Sequence, residues 1–185
     1  IVGVGIRMTN EKQIVIDEID RKTSLITETA NRIWEYAELS LQEFKSAAYY
    51  CEVLEQEGFD VQRKIAGIET AFCASFGSGR PLIGILAEYD ALSGLSQKCG
   101  SLEQEEIVAG GNGHGCGHNL LGAGAMAAAI GVKAFLQETK CPGTVILYGC
   151  PGEEGGAAKA FMARDGIWKD LDAAVLMGLE MSVSQ

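Results

Sequence analysis

The sequence is poor in positive charge, because 15 Lys and Arg residues face 25 Asp and Glu residues and leave a formal net charge of −10. Nucleic-acid binding depends on concentrated Lys and Arg side chains that neutralise phosphates. No basic stripe occurs in this chain, so we expect no nucleic-acid partner. A small anionic substrate stays possible, because its binding depends on local rather than total charge.

Long apolar runs and regular cysteine spacing are also missing. No apolar run approaches the roughly 20 residues that cross a bilayer, and residues 1–7 are too short for a signal peptide, so we expect no membrane partner. The six cysteines form no C-x-x-C pair. This pattern favours free thiols in a reducing, cytoplasmic setting. We set residues 1–7 aside and expect the domain to cover residues 8–185.

Three motifs of other enzyme classes are absent. The sequence contains no G-x-G-x-x-G, no G-x-x-x-x-G-K-[ST] and no G-x-S-x-G. These absences argue against a dinucleotide-binding fold, a P-loop nucleotide hydrolase and a serine hydrolase with a nucleophile elbow.

The hydrophobic pattern predicts alternating strands and helices. Residues 11–36 favour helix throughout, and a capping box at residues 40–43 predicts a second helix that begins there and ends at Gly58. Predicted strands cover residues 59–61, 71–76, 82–87, 143–149 and 173–177, and predicted helices cover residues 120–140 and 157–164. This order predicts an α/β fold, a three-layer sandwich with a mixed, largely parallel sheet flanked by helices.

Both histidines of the chain lie within one glycine-rich segment. His114, Cys116 and His118 alternate with Gly115 and Gly117. In an extended segment, residues two apart project to the same side, and thiolate and imidazole are ligands that suit zinc and related metals. The segment therefore predicts a metal site. The alternative is a glycine-rich turn with incidental polar residues, and a catalytic Cys116 paired with His118 is a further possibility.

Carboxylates follow two of the predicted strands. Glu153 and Glu154 follow the strand at residues 143–149, and this pair predicts one metal ligand beside one proton acceptor. A helix-start pair stabilised by the helix dipole is the alternative. Asp90 follows the strand at residues 82–87 and could orient a ligating imidazole, or it could serve as a solvated loop or capping residue.

Residues 113–119 and 151–156 together resemble the M20 metallopeptidase family, specifically its amidohydrolase branch, whose motifs are G-H-x-C-G-H-[DN] and P-x-E-E-G-G. The resemblance implies part of a zinc-peptidase-like catalytic domain with two divalent ions, Zn²⁺ or Mn²⁺. Cys116, His118 and Glu154 would be metal ligands, Glu153 the general base, and His114 a nearby supporting or substrate-contacting residue. It also implies amide hydrolysis of N-acyl or aminobenzoyl amino acids, by a homodimer or a heterodimer with a related subunit.

The sequence departs from this family in two ways. Gly178 stands where the family has another ligating histidine, and family members are about twice as long. We therefore expect residues 8–185 to be the N-terminal portion of a catalytic domain, without the inserted dimerisation (lid) domain or the C-terminal catalytic portion, and inactive alone. The alternative is a catalytically silent subunit or binding module that pairs with an active partner.

Overall fold

A computed structural model describes residues 9–176, and its regular elements match the predicted alternation closely. The helices and strands are α1 (Asn10–Arg21), α2 (Thr23–Tyr36), α3 (Phe44–Gln56), β1 (Asp60–Arg63), β2 (Phe72–Ser78), β3 (Leu82–Ala87), α4 (His118–Thr139), β4 (Gly143–Gly149), α5 (Ala158–Arg164) and β5 (Ala173–Leu176). The stretch of residues 93–112 is irregular, as predicted from its composition.

The start of α3 differs from the prediction. Ser40 does not cap the helix: its hydroxyl donates to Asp90 Oδ2 at 2.8 Å, and the N–H groups of Lys45 and Ser46 donate to the Glu38 carboxylate at 3.0 and 2.9 Å. The helix begins at Phe44, and Glu43 is fully buried at its N-cap position. The predicted end is confirmed, since Gly58 adopts a positive φ of 83° directly after the helix. Glu38, rather than Ser40, therefore accepts from the N–H groups at the start of α3.

The sheet is mixed, as predicted, with the strand order β1-β2-β4-β3-β5. The pairs β3–β4 and β3–β5 are parallel, whereas β1–β2 and β2–β4 are antiparallel. The half of the sheet formed by β4, β3 and β5 is therefore parallel. In that half, the carboxyl ends of β3 and β4 lie at the same edge, which is where ligands gather in α/β sheets.

Helices and loops cover both faces of the sheet. Alternate residues on each strand point to opposite faces, so Ile85 and Leu147 pack with α2, α3 and α4, whereas Leu86 and Tyr148 pack with Met162 of α5. Helix α1 lies against α4. These layers confirm the predicted α/β sandwich.

Helix α4 corrects one expectation about membranes. By length and composition, His118–Thr139 could cross a bilayer, although the sequence pattern predicts no such run. However, 67% of its most apolar 18-residue window is buried inside the fold. Core helices of globular proteins show the same composition, so the feature is weak evidence for a membrane span.

Candidate metal centre

The predicted site residues come together at the carboxyl edge of the parallel strands. Glu88 and Asp90 directly follow β3, and Glu153 and Glu154 follow β4. His118 is the first residue of α4, whose N-terminus reaches the same edge. Three separate connections therefore supply polar groups to one place.

The segment before α4 is a turn, not the extended strand that the alternation predicted. Gly117 has a φ of 74°, and its N–H donates to the carbonyl of His114 at 3.2 Å. This left-handed conformation, which glycine adopts readily, reverses the chain between Cys116 and His118. Their side chains converge because of the turn rather than because of strand periodicity.

His118 is held by Asp90. The imidazole is 2% exposed, and its Nδ1 lies 3.0 Å from Asp90 Oδ1. An ionised carboxylate only accepts hydrogen bonds, so Nδ1 carries the proton, and in the neutral imidazole the Nε2 lone pair is left for a ligand. Of the two roles that the sequence left open for Asp90, the structure shows the contact with an imidazole.

Charge reinforces this contact. Burial alone would raise the pKa of Asp90, but hydrogen bonds from His118, the Glu154 N–H and Ser40 outweigh it and lower the pKa to about 2. Burial lowers the pKa of His118, but the hydrogen bond and charge of Asp90 outweigh that effect, so the pKa is raised. Asp90 is therefore ionised at neutral pH and fixes the imidazole tautomer.

Cys116, His118 and Glu154 form a donor cluster. One ligand atom from each lies within 4.8 Å of the other two, and His118 Nε2 is 3.9 Å from Glu154 Oε1. Two donors on one zinc ion stand roughly 3–4 Å apart, as bond lengths of about 2.0–2.3 Å require. A thiol, an imidazole and a carboxylate at these separations fit a divalent transition-metal ion.

The thiol of Cys116 favours a ligand role over a nucleophilic one. Desolvation, a hydrogen bond with Glu154 and the negative charges of Glu154, Glu153 and Glu88 raise its pKa to about 11. A catalytic thiol needs a lowered pKa. Carboxylates that repel a thiolate would instead be neutralised by a divalent cation, which also displaces the thiol proton.

The loop that carries Glu153 and Glu154 is anchored on both sides. The Gly152 N–H donates to Glu43 Oε1 at 2.7 Å, and the Glu154 N–H donates to Asp90 Oδ2 at 3.0 Å. Glu153 Oε2 lies 3.9 Å from His118 Nε2, and its side chain is 39% exposed. Glu153 thus stands beside the cluster and stays open to solvent.

Glu88 and Lys159 are site residues that the sequence reasoning missed. Glu88 Oε2 is 3.3 Å from His118 Nε2, and the other carboxylate oxygen pairs with Lys159 of α5. The position of Glu88, two residues before Asp90 past a buried strand, could have identified it. Nothing in the sequence places Lys159 there.

His114 does not join the donor cluster. Its Nε2 lies 2.9 Å from the carbonyl oxygen of Ile33 on α2, and its Nδ1 is buried without a partner in the described part of the chain. Gly178, where the family has a further histidine, lies outside the described residues.

This chain is similar to known proteins over most of its length. Residues 84–184 match the family model described as "Peptidase family M20/M25/M40". The chain is 48% identical over 163 residues to one subunit of the p-aminobenzoyl-glutamate hydrolase of Escherichia coli (strain K12), covering 88% of this chain and 34% of that protein. It is 28% identical to Xaa-Arg dipeptidase of Mus musculus, covering 89% of this chain and 37% of that protein.

Solved structures agree on the fold. The YXEP protein of Bacillus subtilis, described as a dinuclear metal-binding peptidase from the M20 family, matches with a TM-score of 0.64 and 25% identity over 82% of this chain and 41% of that chain. An aminobenzoyl-glutamate utilization protein from Klebsiella pneumoniae matches with a TM-score of 0.61 and 16% identity over 89% of this chain and 46% of that one. This chain spans about a third of the length of the first two curated relatives. By its motifs and by the matched residues, the chain belongs to peptidase family M20/M25/M40.

Proposed function

We propose that this chain supplies part of the active site of a metal-dependent amidohydrolase that cleaves an amide bond of N-acyl or aminobenzoyl amino acids. The observation that carries the proposal is the donor cluster of Cys116, His118 and Glu154, with the solvent-open carboxylate of Glu153 beside it. We propose residues 8–185 as part of the catalytic domain. The E. coli relative, which belongs to a p-aminobenzoyl-glutamate hydrolase, supports this substrate class.

The residues have separate roles in this proposal. Cys116, His118 and Glu154 would hold a divalent ion, which when bound polarises a carbonyl group and makes water more acidic. Glu153 would take a proton from the attacking water and return it to the leaving nitrogen. It suits this role because its carboxylate accepts no hydrogen bond from the described residues and lies 3.9 Å from His118 Nε2.

Three finer points belong to the same proposal. The centre would hold two divalent ions, either Zn²⁺ or Mn²⁺, which the description of the B. subtilis structure as dinuclear supports. The protein would act as a homodimer or as a heterodimer with a related subunit, and the second arrangement is supported by the E. coli relative, whose name makes it one subunit of its hydrolase. A cytoplasmic location would suit the six cysteines, all of which are free thiols.

The alternative, a catalytically silent subunit, depends on Gly178, which lies outside the described residues. No observation on the described residues favours it. A count of bound metal discriminates between the two functions, because a silent module has no need to keep the donor cluster intact.

The decisive experiment separates the two neighbouring glutamates. In the complete protein that contains these residues, supplied with Zn²⁺ or Mn²⁺, Glu153→Gln should retain metal but hydrolyse p-aminobenzoyl-glutamate at least ~10²-fold more slowly, as removal of a general base does. Glu154→Gln should lose metal as well as activity.

Glu106→Gln, an exposed loop variant, is the matched control and should behave like the unaltered protein. Full turnover by Glu153→Gln would remove Glu153 from the mechanism. Absence of bound metal from the unaltered protein under metal-replete conditions would favour the silent subunit.

A further inference from the structure

A cavity of about 560 Å³ lies next to the metal ligand Cys116. It is formed between the C-terminal half of α2, the turn at residues 114–117 and the first turn of α4. Cavities of this size hold small-molecule ligands. Cys116 belongs to its wall, whereas His118, Glu153 and Glu154 do not, so a molecule bound here would reach the donor cluster on the side of Cys116.

The lining of the cavity is aromatic and apolar on one side. Trp34 of α2 is half-buried, and Leu120 of α4 is 57% exposed although it lies only two residues after the ligand His118. Contact with a flat aromatic ring removes water from an apolar side chain that is exposed in a cavity, and this burial is favourable. These walls therefore suit an aromatic ring.

The charge of the lining discriminates between the two halves of an acyl amino acid. Glu35 contributes a carboxylate, and no Lys or Arg is among the described residues that line the cavity. Glu35 is exposed and forms no ion pair with another described residue. Lys159, the cation that pairs with Glu88, does not line the cavity. A substrate carboxylate would be repelled here, whereas a group that donates hydrogen bonds would be attracted.

We propose that this cavity binds the acyl half of the substrate, and that it selects an aromatic acyl group with a hydrogen-bond donor at its far end. The ring would lie against Trp34 and Leu120, and the amino group of a p-aminobenzoyl unit would donate to Glu35. The carboxylate-bearing amino acid would lie outside this cavity. This inference rests on the proposed function, because it assumes that an acyl amino acid is the substrate.

Binding of the acyl half can be measured without any hydrolysis. Trp34 and Trp168 are the two tryptophans of this sequence. When the complete protein that contains these residues carries fluorotryptophan, the fluorine signal that disappears in the Trp34→Phe variant is the signal of Trp34. Titration with p-aminobenzamide, which is the neutral acyl half, should shift the Trp34 fluorine NMR signal. Benzamide should bind about fivefold more weakly, because it lacks the amino group at the far end of the ring that would donate a hydrogen bond to the Glu35 carboxylate. Free glutamate should cause no shift.

Glu35→Gln should remove most of this preference and leave benzamide binding unchanged. Glu28→Gln is the matched control, because Glu28 lies on the same helix, pairs with Arg32 at 2.8 Å and does not line the cavity. Equal binding of the two amides, or a preference that survives Glu35→Gln, would overturn the assignment of Glu35. No shift with either amide would overturn the cavity as the acyl site.

These outcomes are independent of turnover. If neither amide bound in the cavity, the expected effect of Glu153→Gln on hydrolysis would be unchanged. A protein without hydrolase activity could still bind p-aminobenzamide more tightly than benzamide.

Discussion

Replacing Asp90 by Asn should reveal how strongly one carboxylate supports the centre. Asp90 is 1% exposed and accepts hydrogen bonds from His118 Nδ1, the Ser40 hydroxyl and the Glu154 N–H. Asn has the same shape but only one acceptor oxygen. Whichever way its amide is turned, an NH₂ group faces either the imidazole N–H or the backbone N–H of Glu154.

The magnitude follows from the ionisation of Asp90. Its pKa is lowered from 3.8 to about 2, which corresponds to about 2.5 kcal/mol of stability carried by the ionised form. Because the folded-state pKa is the lower one, this stability is complete above pH ~4 and is lost as the pH falls towards 2. Asp90→Asn should therefore lower the free energy of unfolding at pH 7 by about 2–3 kcal/mol.

Urea unfolding in the presence of a chelator measures this loss without a contribution from metal. Asp20→Asn, an exposed substitution on α1, is the control and should change the free energy of unfolding by less than about 0.5 kcal/mol. Between pH 4 and pH 2, Asp90→Asn should lack the component of acid destabilisation that the unaltered protein shows. A loss no larger than that of Asp20→Asn, or an unchanged pH dependence, would refute the reasoning.

Two further predictions concern residues around the centre. Glu43→Gln should cost less than ~1.5 kcal/mol, because the amide oxygen can still accept from Gly152, whereas Glu43→Ala should cost ~2–4 kcal/mol by leaving buried donors unpaired. Burial raises the pKa of Glu43 above 4.5, so the unaltered protein should lose stability relative to Glu43→Gln as the pH rises above ~4.5, and a parallel pair of pH–stability curves would contradict this. Gly122→Ala should destabilise the fold by ~1–3 kcal/mol in thermal unfolding. The reason is that its Cβ would lie 2.4 Å from the Tyr50 hydroxyl and 2.5 Å from the Glu88 carbonyl oxygen. An unchanged melting temperature would show that these two groups can move aside without cost.

Local patterns predicted most of the fold, but not the contacts between its parts. Strand β4 matches its predicted bounds, because a continuous apolar run between Gly residues leaves few alternatives. The capping box at Ser40 was wrong: the N–H groups of Lys45 and Ser46 donate to Glu38, and the Ser40 hydroxyl donates to Asp90, which lies 50 residues away along the chain. Such a partner leaves no trace in local spacing. Local spacing alone cannot show which side chain accepts from the first N–H groups of a helix when a tertiary contact orients the expected capping residue elsewhere.

The candidate site shows the same division. The residue types of Cys116, His118 and Glu154 predicted a metal site. The convergence of the first two was expected from strand alternation, but the turn at Gly117 produces it. His114 follows the same spacing rule and diverges, since its ring contacts the carbonyl of Ile33. A periodic motif therefore predicts which atoms could bind an ion, and only the backbone decides which of them meet.

Asp90 explains why the donor cluster and the fold depend on one another. Its carboxylate contacts the side chain of one proposed ligand, His118, and the backbone of another, Glu154, which come from different connections of the sheet. Moving either ligand away from the other would break a hydrogen bond to a buried, ionised group, which costs more than an ordinary surface contact. The folded chain thus fixes the relative position of the His118 imidazole and Glu154 before any cation binds. Little ordering of these ligands is then left for the binding step, so their arrangement in the folded chain raises the affinity for the metal.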